Sequence, residues 1–195
     1  MPFPAASHPS RHAARACAPI RPLRRGCTLI EALCSMTIML VLLSAAMPML
    51  QDLIARQTLL AQAAELETDL VFARAQAQIQ MAPVRFSVHP VGANGSCYIV
   101  YRGSNGACDC TGDGRSQCTA GAEVLRVVDP SRRAGITLAE LDRPLTFDAG
   151  VGTVTPTATL RLTDGDGRGV NQVINLMGRV RSCTPNPAWG GLRRC

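Results

Sequence analysis

The stretch from Thr28 to Leu50 reads TLIEALCSMTIMLVLLSAAMPML, and it decides how the chain is organised. Glu31 is its only charged residue. As a helix, this stretch is long enough to cross a hydrocarbon core of about 30 Å. A domain of this size could hardly bury a helix that is apolar on every side. The sequence therefore predicts a transmembrane helix over residues 27–50.

The segment that precedes this helix has a different character. Five arginines and no acidic residue come before Gly26. An ordinary secretory signal carries its small-residue cleavage site after the apolar stretch, whereas here the small residue Gly26 comes first. Cleavage between Gly26 and Cys27 would remove a basic leader, residues 1–26, and keep the apolar helix. A lipoprotein signal at Cys27 is the competing interpretation, but it requires apolar residues where the chain has two arginines.

The net charge of +6 does not by itself indicate a nucleic-acid partner. Without the five leader arginines, 15 arginines stand against 14 acidic residues, so the rest of the chain is nearly neutral. An argument for an anionic partner must therefore rest on local clustering. One such cluster exists, because the chain from Arg168 to Cys195 has five arginines and no acidic residue.

Beyond Pro48 an amphipathic pattern predicts a second helical segment over residues 51–82. Apolar residues recur at spacings of three and four, which places them on one face of a helix. Polar residues, including Asp69, fill the positions between them. Pro83 is expected to end the segment. The predicted apolar face consists of Leu59, Ala63, Leu66, Leu70, Ala73 and Ala77.

From residue 83 to the C-terminus, short β-branched and aromatic runs alternate with Gly, Pro, Asn and Asp. Such runs predict antiparallel strands, and the Gly- and Cys-rich stretch 103–121 is expected to be a loop. The predicted fold is α+β, with a long N-terminal helix packed on an antiparallel β-sheet domain over residues 83–195. The expected strands are Val84–Val88, Cys97–Arg102, Val124–Val128, Ile136–Leu138, Leu145–Phe147, Thr157–Thr163 and Val170–Met177.

Nine cysteines favour an oxidising compartment and disulfide bonds. Six of them follow the apolar segment, and six cysteines allow fifteen pairings. We expect a Cys183–Cys195 bridge, with Trp189 between the two cysteines covering part of the core. A second bridge should join Cys97 to the loop that holds Cys108, Cys110 and Cys118.

Signals for metal binding and catalysis are weak. Cys108-X-Cys110 lacks the spacing of a paired zinc site, and His89 is the only histidine after the leader. The run Asp164-Gly165-Asp166-Gly167 begins like a calcium loop but lacks the later ligands, so a hairpin turn is the better interpretation. No nucleophile elbow or phosphate-binding loop occurs. The sequence predicts no enzyme, no metal and no cofactor, and a periplasmic metal-binding module stays open as an alternative.

The run Gly26-Cys27-Thr28-Leu29-Ile30-Glu31 resembles the prepilin motif of type IV pilin-like proteins. In that family a prepilin peptidase cleaves after the glycine, and a glutamate stands fifth in the mature chain, as Glu31 would here. The resemblance implies processing at Gly26 and Cys27 and assembly guided by Glu31. An ionisable side chain within a membrane costs about 2.5–3.5 kcal/mol, so its presence requires a functional reason. Pro48 matches the proline that commonly bends pilin helices, whereas Cys27 replaces the usual apolar residue.

The amphipathic segment and the first strand resemble the GspH/FimT subfamily of minor pilins and pseudopilins. This resemblance implies an inner-membrane, single-pass protein with a periplasmic domain, which joins major and minor pilins in a pilus. A GspH-like pseudopilin of a type II secretion system, or a purely structural minor pilin, is the alternative. The residues that carry the resemblance are Leu70, Ala73, Arg74, Ala75, Pro83 and Val84.

The C-terminal part resembles FimT-like proteins of competent bacteria, whose Gly-Arg-X-Arg element binds DNA during natural transformation. Gly178, Arg179 and Arg181 match that element. If the strand runs on, both arginine side chains point to one face. Arg193 and Arg194 add to the same basic stretch. The resemblance implies double-stranded DNA as a further partner, held mainly through its phosphates.

Overall fold

The computed structural model describes residues 28–93, 95–111, 115–185 and 189–195. The predicted leader and its cleavage site, Gly26 and Cys27, lie outside these residues. The chain divides into two compact units, Met1–Ser44 and Ala45–Cys195.

The described part of the first unit is helical and exposed. Helix α1 begins at Leu29 and ends at Ile79, so it also supplies the start of the second unit. Every residue from 28 to 54 is exposed, and the most apolar window of the helix has a mean hydropathy of 2.1. By length and composition this helix can cross a membrane, which would supply the apolar surroundings that the side chains lack.

The amphipathic part of α1 packs as its periodicity predicts. All six residues of the predicted apolar face are buried, from Leu59 to Ala77. The helix runs through Pro48 without a break and ends at Ile79, four residues before Pro83. One position differs from the expectation, because Asp69 is completely buried although the pattern places it among the polar residues.

Eleven strands and a second helix follow α1 in the part of the chain that the structure describes. Five of these elements were not among the expected ones: β3 and β4 within the predicted 103–121 loop, β8, helix α2 and β11. The elements are β1 (Val84–Val91), β2 (Gly95–Arg102), β3 (Cys108–Cys110), β4 (Ser116–Cys118), β5 (Glu123–Val128), α2 (Pro130–Ala134), β6 (Thr137–Leu138), β7 (Leu145–Phe147), β8 (Val154–Thr155), β9 (Ala158–Thr163), β10 (Gly169–Ile174) and β11 (Val180–Cys183).

The strands form a five-stranded sheet in the order β5-β2-β1-β7-β8 and a four-stranded sheet in the order β11-β10-β9-β6. All of these pairings are antiparallel. One apolar core joins the buried face of α1 to the inner faces of both sheets, with Phe86 from β1 and Leu160 and Leu162 from β9 among its members. The α+β fold predicted from the sequence is the observed fold.

Helix α2 shows why short elements escape a periodicity argument. Its ends are clear, since Asp129 caps the N-terminus by accepting a hydrogen bond from the Arg132 amide, and Gly135 ends it in the left-handed region. With five residues, however, it is shorter than two turns and shows no repeating apolar face.

Three disulfides cross-link the β domain. Cys183 is bonded to Cys195, the pairing expected from the sequence. Cys97 is bonded to Cys110, so it does join the cysteine-rich loop. The third bond, Cys108–Cys118, joins β3 to β4. The Gly-rich composition of this stretch predicted a loop, not a pair of strands.

Candidate functional site

The hairpin between β10 and β11 builds the surface to which the sequence assigned DNA binding. Its tip turns between Asn175 and Arg179, because the Asn175 amide donates to the Arg179 carbonyl and the Gly178 amide donates to the Asn175 carbonyl. The Asn175 side-chain oxygen also accepts a hydrogen bond from the Arg179 amide, at 2.8 Å. The strand expected to run to Met177 therefore ends at Ile174, and Arg179 lies in the turn rather than in a strand.

Gly178 joins two of the sequence motifs in space. Its φ of +71° lies in the left-handed region, and a methyl group there would approach the Gly152 carbonyl oxygen to 2.9 Å and the Arg74 Cδ to 3.1 Å. Arg74, one of the residues that carry the GspH/FimT resemblance, thus packs against the glycine of the Gly-Arg-X-Arg element. Only glycine fits here without strain, since both the backbone conformation and the space exclude a side chain.

Side-chain alternation places Arg181 on the outer face of the four-stranded sheet. In β10 the residues at 170, 172 and 174 are buried, so Val173 points outward, and Val173 pairs with Arg181. Asn171 is the next outward position of β10, and it pairs with Arg161 of β9. Arg161 is exposed and shares the outer face with Arg181. Sequence reasoning missed Arg161, because the register that brings it there is visible only once β9 and β10 are paired.

The last seven residues add two more arginines beside β11. The Thr184 amide donates to the Arg193 carbonyl at 2.9 Å, and the Cys195 amide donates to the Thr184 carbonyl at 3.0 Å. Together with the Cys183–Cys195 disulfide, these bonds hold the C-terminal segment against the end of β11. Trp189 is partly buried against the core, as expected. We call four exposed arginines, one in the turn, one in β11 and two in this segment, the basic surface: Arg179, Arg181, Arg193 and Arg194.

These four arginines have no acidic partner among the described residues. The ion pairs formed by the described part of the chain involve Arg56, Arg102, Arg126, Arg133 and Arg168 instead. A guanidinium without a carboxylate partner keeps its five donors for an external anion. The basic surface is therefore free to bind phosphate groups.

Arg168 belongs to the same basic stretch in the sequence, but it forms ion pairs within the protein. Its guanidinium contacts the carboxylates of Asp52 in α1 and of Asp164 and Asp166 in the β9–β10 turn. The hydrogen bond to Asp164 raises the pKa of Arg168 further. A cation of the protein itself thus pairs with both carboxylates of the run that begins like a calcium loop, and the described residues form no cluster suited to a metal ion.

Glu31 and Pro48, the residues assigned to assembly, both lie in α1. Glu31 is exposed in the first helical turn, where its amide donates to the Thr28 carbonyl at 3.0 Å. Pro48 lies within the exposed part of the helix. Glu31 belongs to the first compact unit, whereas Pro48 belongs to the second.

A buried polar network attaches α1 to the five-stranded sheet. The Tyr98 hydroxyl donates to Asp69 Oδ2 at 2.7 Å, and Arg126 Nη1 lies 3.0 Å from Asp69 Oδ1. Burial raises the pKa of the Asp69 carboxyl, while the Tyr98 hydrogen bond and the Arg126 charge oppose that shift. Burial, reinforced by Asp69, also raises the pKa of Tyr98. A carboxylate in the core without these partners would be strongly destabilising, so the network fixes how the helix sits on β2 and β5.

Ser87, His89 and Asp109 have the connectivity of a hydrolase triad. Ser87 Oγ lies 2.8 Å from His89 Nε2, and His89 Nδ1 lies 3.0 Å from Asp109 Oδ1. Only 4% of Ser87 is exposed, however, so its hydroxyl offers almost no surface to a substrate. The three side chains connect β1 to the disulfide-bonded β3–β4 hairpin, and we assign them that structural role.

Comparison with known proteins finds a matching family model for the end of α1 and most of the β domain. The model of a family described as type II transport protein GspH matches residues 62–178, well over half of the chain. Arg179 and Arg181 lie just beyond the matched region. No match was found among curated proteins. Among solved structures, the type IV minor pilin FimU of Pseudomonas aeruginosa is similar, with 23% sequence identity over 69% of this chain and 95% of that chain and a TM-score of 0.48.

Proposed function

The chain belongs to the type IV pilin-like GspH family, and on that premise we propose that it is a minor pilin of FimT type whose basic surface binds double-stranded DNA. Minor pilins and pseudopilins are structural subunits that associate with other pilins in a filament. The single observation that supports the DNA-binding role is that the four arginines of the basic surface are exposed and have no acidic partner among the described residues.

Membrane anchoring and filament assembly form the first part of the proposal. A prepilin peptidase cleaves between Gly26 and Cys27, residues 27–50 anchor the mature chain in the inner membrane, and the domain from residue 83 onward lies in the periplasm. Glu31 then guides entry into a filament with major and minor pilins. The exposed apolar part of α1 supports this proposal, since Glu31 is its single carboxylate between residues 29 and 50.

The processing step has a direct test in the mass of the mature chain. Cells that express the full-length chain together with a prepilin peptidase should yield a protein that begins at Cys27. Glu31→Gln should leave that mass pattern intact, shifted only by the substitution, but lower the amount recovered in sheared filaments. A mature chain that still begins at Met1, or normal filament entry of the Gln variant, would refute this part.

DNA binding through the basic surface forms the second part. Arginine binds phosphate oxygens in a bidentate manner, and phosphate contacts position a protein on DNA without reading its sequence. Arg161 extends the cationic area across the outer face of the sheet. The expected binding is therefore sensitive to salt and largely insensitive to base sequence.

The second part is tested with the full-length chain in a non-ionic detergent and a fluorescent duplex. Arg179→Ala combined with Arg181→Ala should weaken binding by about tenfold or more at low salt. Arg115→Ala combined with Arg143→Ala is the matched control, since it removes the same charge from exposed positions outside the basic surface. Equal affinity of both double variants would assign the binding to net charge alone.

A structural pseudopilin of a type II secretion system is the second candidate function. The family description favours it, and the matched region ends at Gly178, before the arginines. This candidate predicts that neither the wild-type chain nor the double arginine variant binds duplex DNA.

A further inference from the structure

Two large apolar side chains stand exposed at the tip of the β10–β11 hairpin. Leu176 is 51% exposed and Met177 is 56% exposed. Tight turns usually carry Gly, Asn, Asp, Pro or Ser, because those residues suit the backbone and the solvent. Exposed apolar residues in such a turn cost solubility and gain nothing for folding, so they indicate a contact with another molecule.

The hairpin tip is held rigidly in place. Three hydrogen bonds between Asn175, Gly178 and Arg179 close the turn. The Leu176 carbonyl accepts a further hydrogen bond from the Val154 amide of β8, at 2.9 Å. On its inner side Gly178 packs against Gly152 and Arg74. The two apolar side chains are therefore presented in one orientation, and their binding would require little additional ordering.

Positive charge surrounds the tip. Arg179 follows it directly, Arg181 lies two residues further along the outer face, and both lack acidic partners in the described chain. Val173, which pairs with Arg181, adds a third exposed apolar group beside them. Apolar side chains flanked by arginines match the chemistry of proteins that bind in the minor groove, where Leu or Met is wedged between base steps while Arg contacts the backbone.

We infer that Leu176 and Met177 insert into the minor groove of duplex DNA and kink it, while Arg179 and Arg181 bind the flanking phosphates. This inference rests on the proposed DNA-binding function and adds how the protein would bind the duplex. Wedges of this kind partly unstack a base step and bend the duplex by about 20–90°. The protein would bind most readily at flexible pyrimidine–purine steps. It would therefore prefer deformable DNA without reading the bases through hydrogen bonds.

The experiment separates the apolar contact from the electrostatic one. The full-length chain in a non-ionic detergent is titrated into a duplex of about 20 base pairs, which carries a donor–acceptor pair at its ends and 2-aminopurine at a central step. Leu176→Ser combined with Met177→Ser is compared with the wild type. Val71→Ser, which changes an exposed apolar residue of α1, is the control, and thermal melting verifies that every variant is folded.

If the inference is correct, the wild-type protein shortens the end-to-end distance of the duplex and increases the fluorescence of 2-aminopurine. The double Ser variant then binds about tenfold more weakly, leaves the DNA straight and keeps the same dependence on salt, because no charge has changed. Binding by both proteins without bending would overturn the inference and leave the phosphate-binding function in place. Absence of wild-type binding would overturn both. If the double Ser variant instead loses binding only to vesicles that contain phosphatidylserine, the tip contacts lipid and the inference is wrong.

Discussion

Gly178 connects the two sequence signals on which the account depends. It is the glycine of the Gly-Arg-X-Arg element, and it packs against Arg74 near the end of α1 only because it has no side chain. The sequence gives no indication that these two positions touch, since they belong to motifs at opposite ends of the domain. The contact follows from the fold, which brings the β10–β11 turn over the end of α1.

A substitution at Gly178 should lower the free energy of unfolding by more than the left-handed backbone conformation alone explains. Gly178→Ala is expected to lower the free energy of unfolding by about 2–4 kcal/mol, because a left-handed residue gains a methyl group that collides with Gly152 and Arg74. Gly167→Ala isolates the conformational part, since its φ of +79° is similar and nothing lies within 4 Å of the added carbon. Denaturant titration of both variants measures the difference, and equal costs would show that the close contact is absent.

Asp69 should make stability depend on pH in the acidic range. Its carboxyl has a raised pKa, so the native chain holds this proton at a pH where the unfolded chain, with an ordinary pKa of 3.8, has released it. The contribution of Asp69 to the free energy of unfolding therefore decreases as pH rises from 3.8 through the raised value. Asp69→Asn should lose this component in denaturant titrations at several pH values. An unchanged pH profile would contradict the raised pKa.

Single residues also mark the limit of what the sequence could predict. The helical periodicity located the buried face of α1 but treated Asp69 as a surface residue, because its partners Tyr98 and Arg126 are distant in sequence. Arg161 escaped attention for the same reason. In both cases the decisive fact is a strand register, which local patterns do not contain.

Among the elements, those with a long repeating pattern were predicted well. The membrane-type helix, its amphipathic continuation and the longer strands follow from apolar periodicity and β-propensity. Helix α2 was missed because its five residues are too short to show a periodic apolar face. The β3–β4 hairpin was missed because disulfides hold it within a Gly-rich sequence. The GspH/FimT family prediction is confirmed, whereas DNA binding stays a prediction.

The C-terminal segment should contribute to DNA binding only while it is bonded to β11. Cys183→Ser combined with Cys195→Ser removes the disulfide that holds Arg193 and Arg194 beside Thr184. We expect a weaker affinity for duplex DNA, approaching that of Arg193→Ala combined with Arg194→Ala, since the two charges become mobile. Fluorescence anisotropy measures this effect. Full affinity in the double Ser variant would show that the segment needs no anchoring or makes no contact.

The β9–β10 turn should be insensitive to metal chelators. Arg168 already pairs with Asp52, Asp164 and Asp166 and occupies the space between them, so EDTA is expected to leave the melting temperature of the wild-type chain unchanged. Differential scanning calorimetry with and without calcium checks this expectation. A melting temperature that falls with EDTA and recovers with calcium would instead support the metal-binding alternative.

For the whole molecule, the proposed function assigns different tasks to the two ends of the chain. In this proposal the apolar helix with Glu31 is used for anchoring and assembly, and the basic surface of the β domain binds duplex DNA. Family membership establishes that the chain is pilin-like, and anchoring and assembly through Glu31 stay proposals. The second task depends on four exposed arginines and a rigid apolar tip, so it is the part of the account most open to refutation.

Duplex DNA binding by the full-length chain, measured over a series of salt concentrations, tests this central claim most directly. Each phosphate contact contributes a slope of about −0.9 to the plot of log affinity against log salt. Four arginines at the surface predict a slope of about −4, and Arg179→Ala combined with Arg181→Ala should reduce its magnitude by about 2. No binding at low salt, or a slope that the double variant leaves unchanged, would contradict the assignment of DNA binding to this surface.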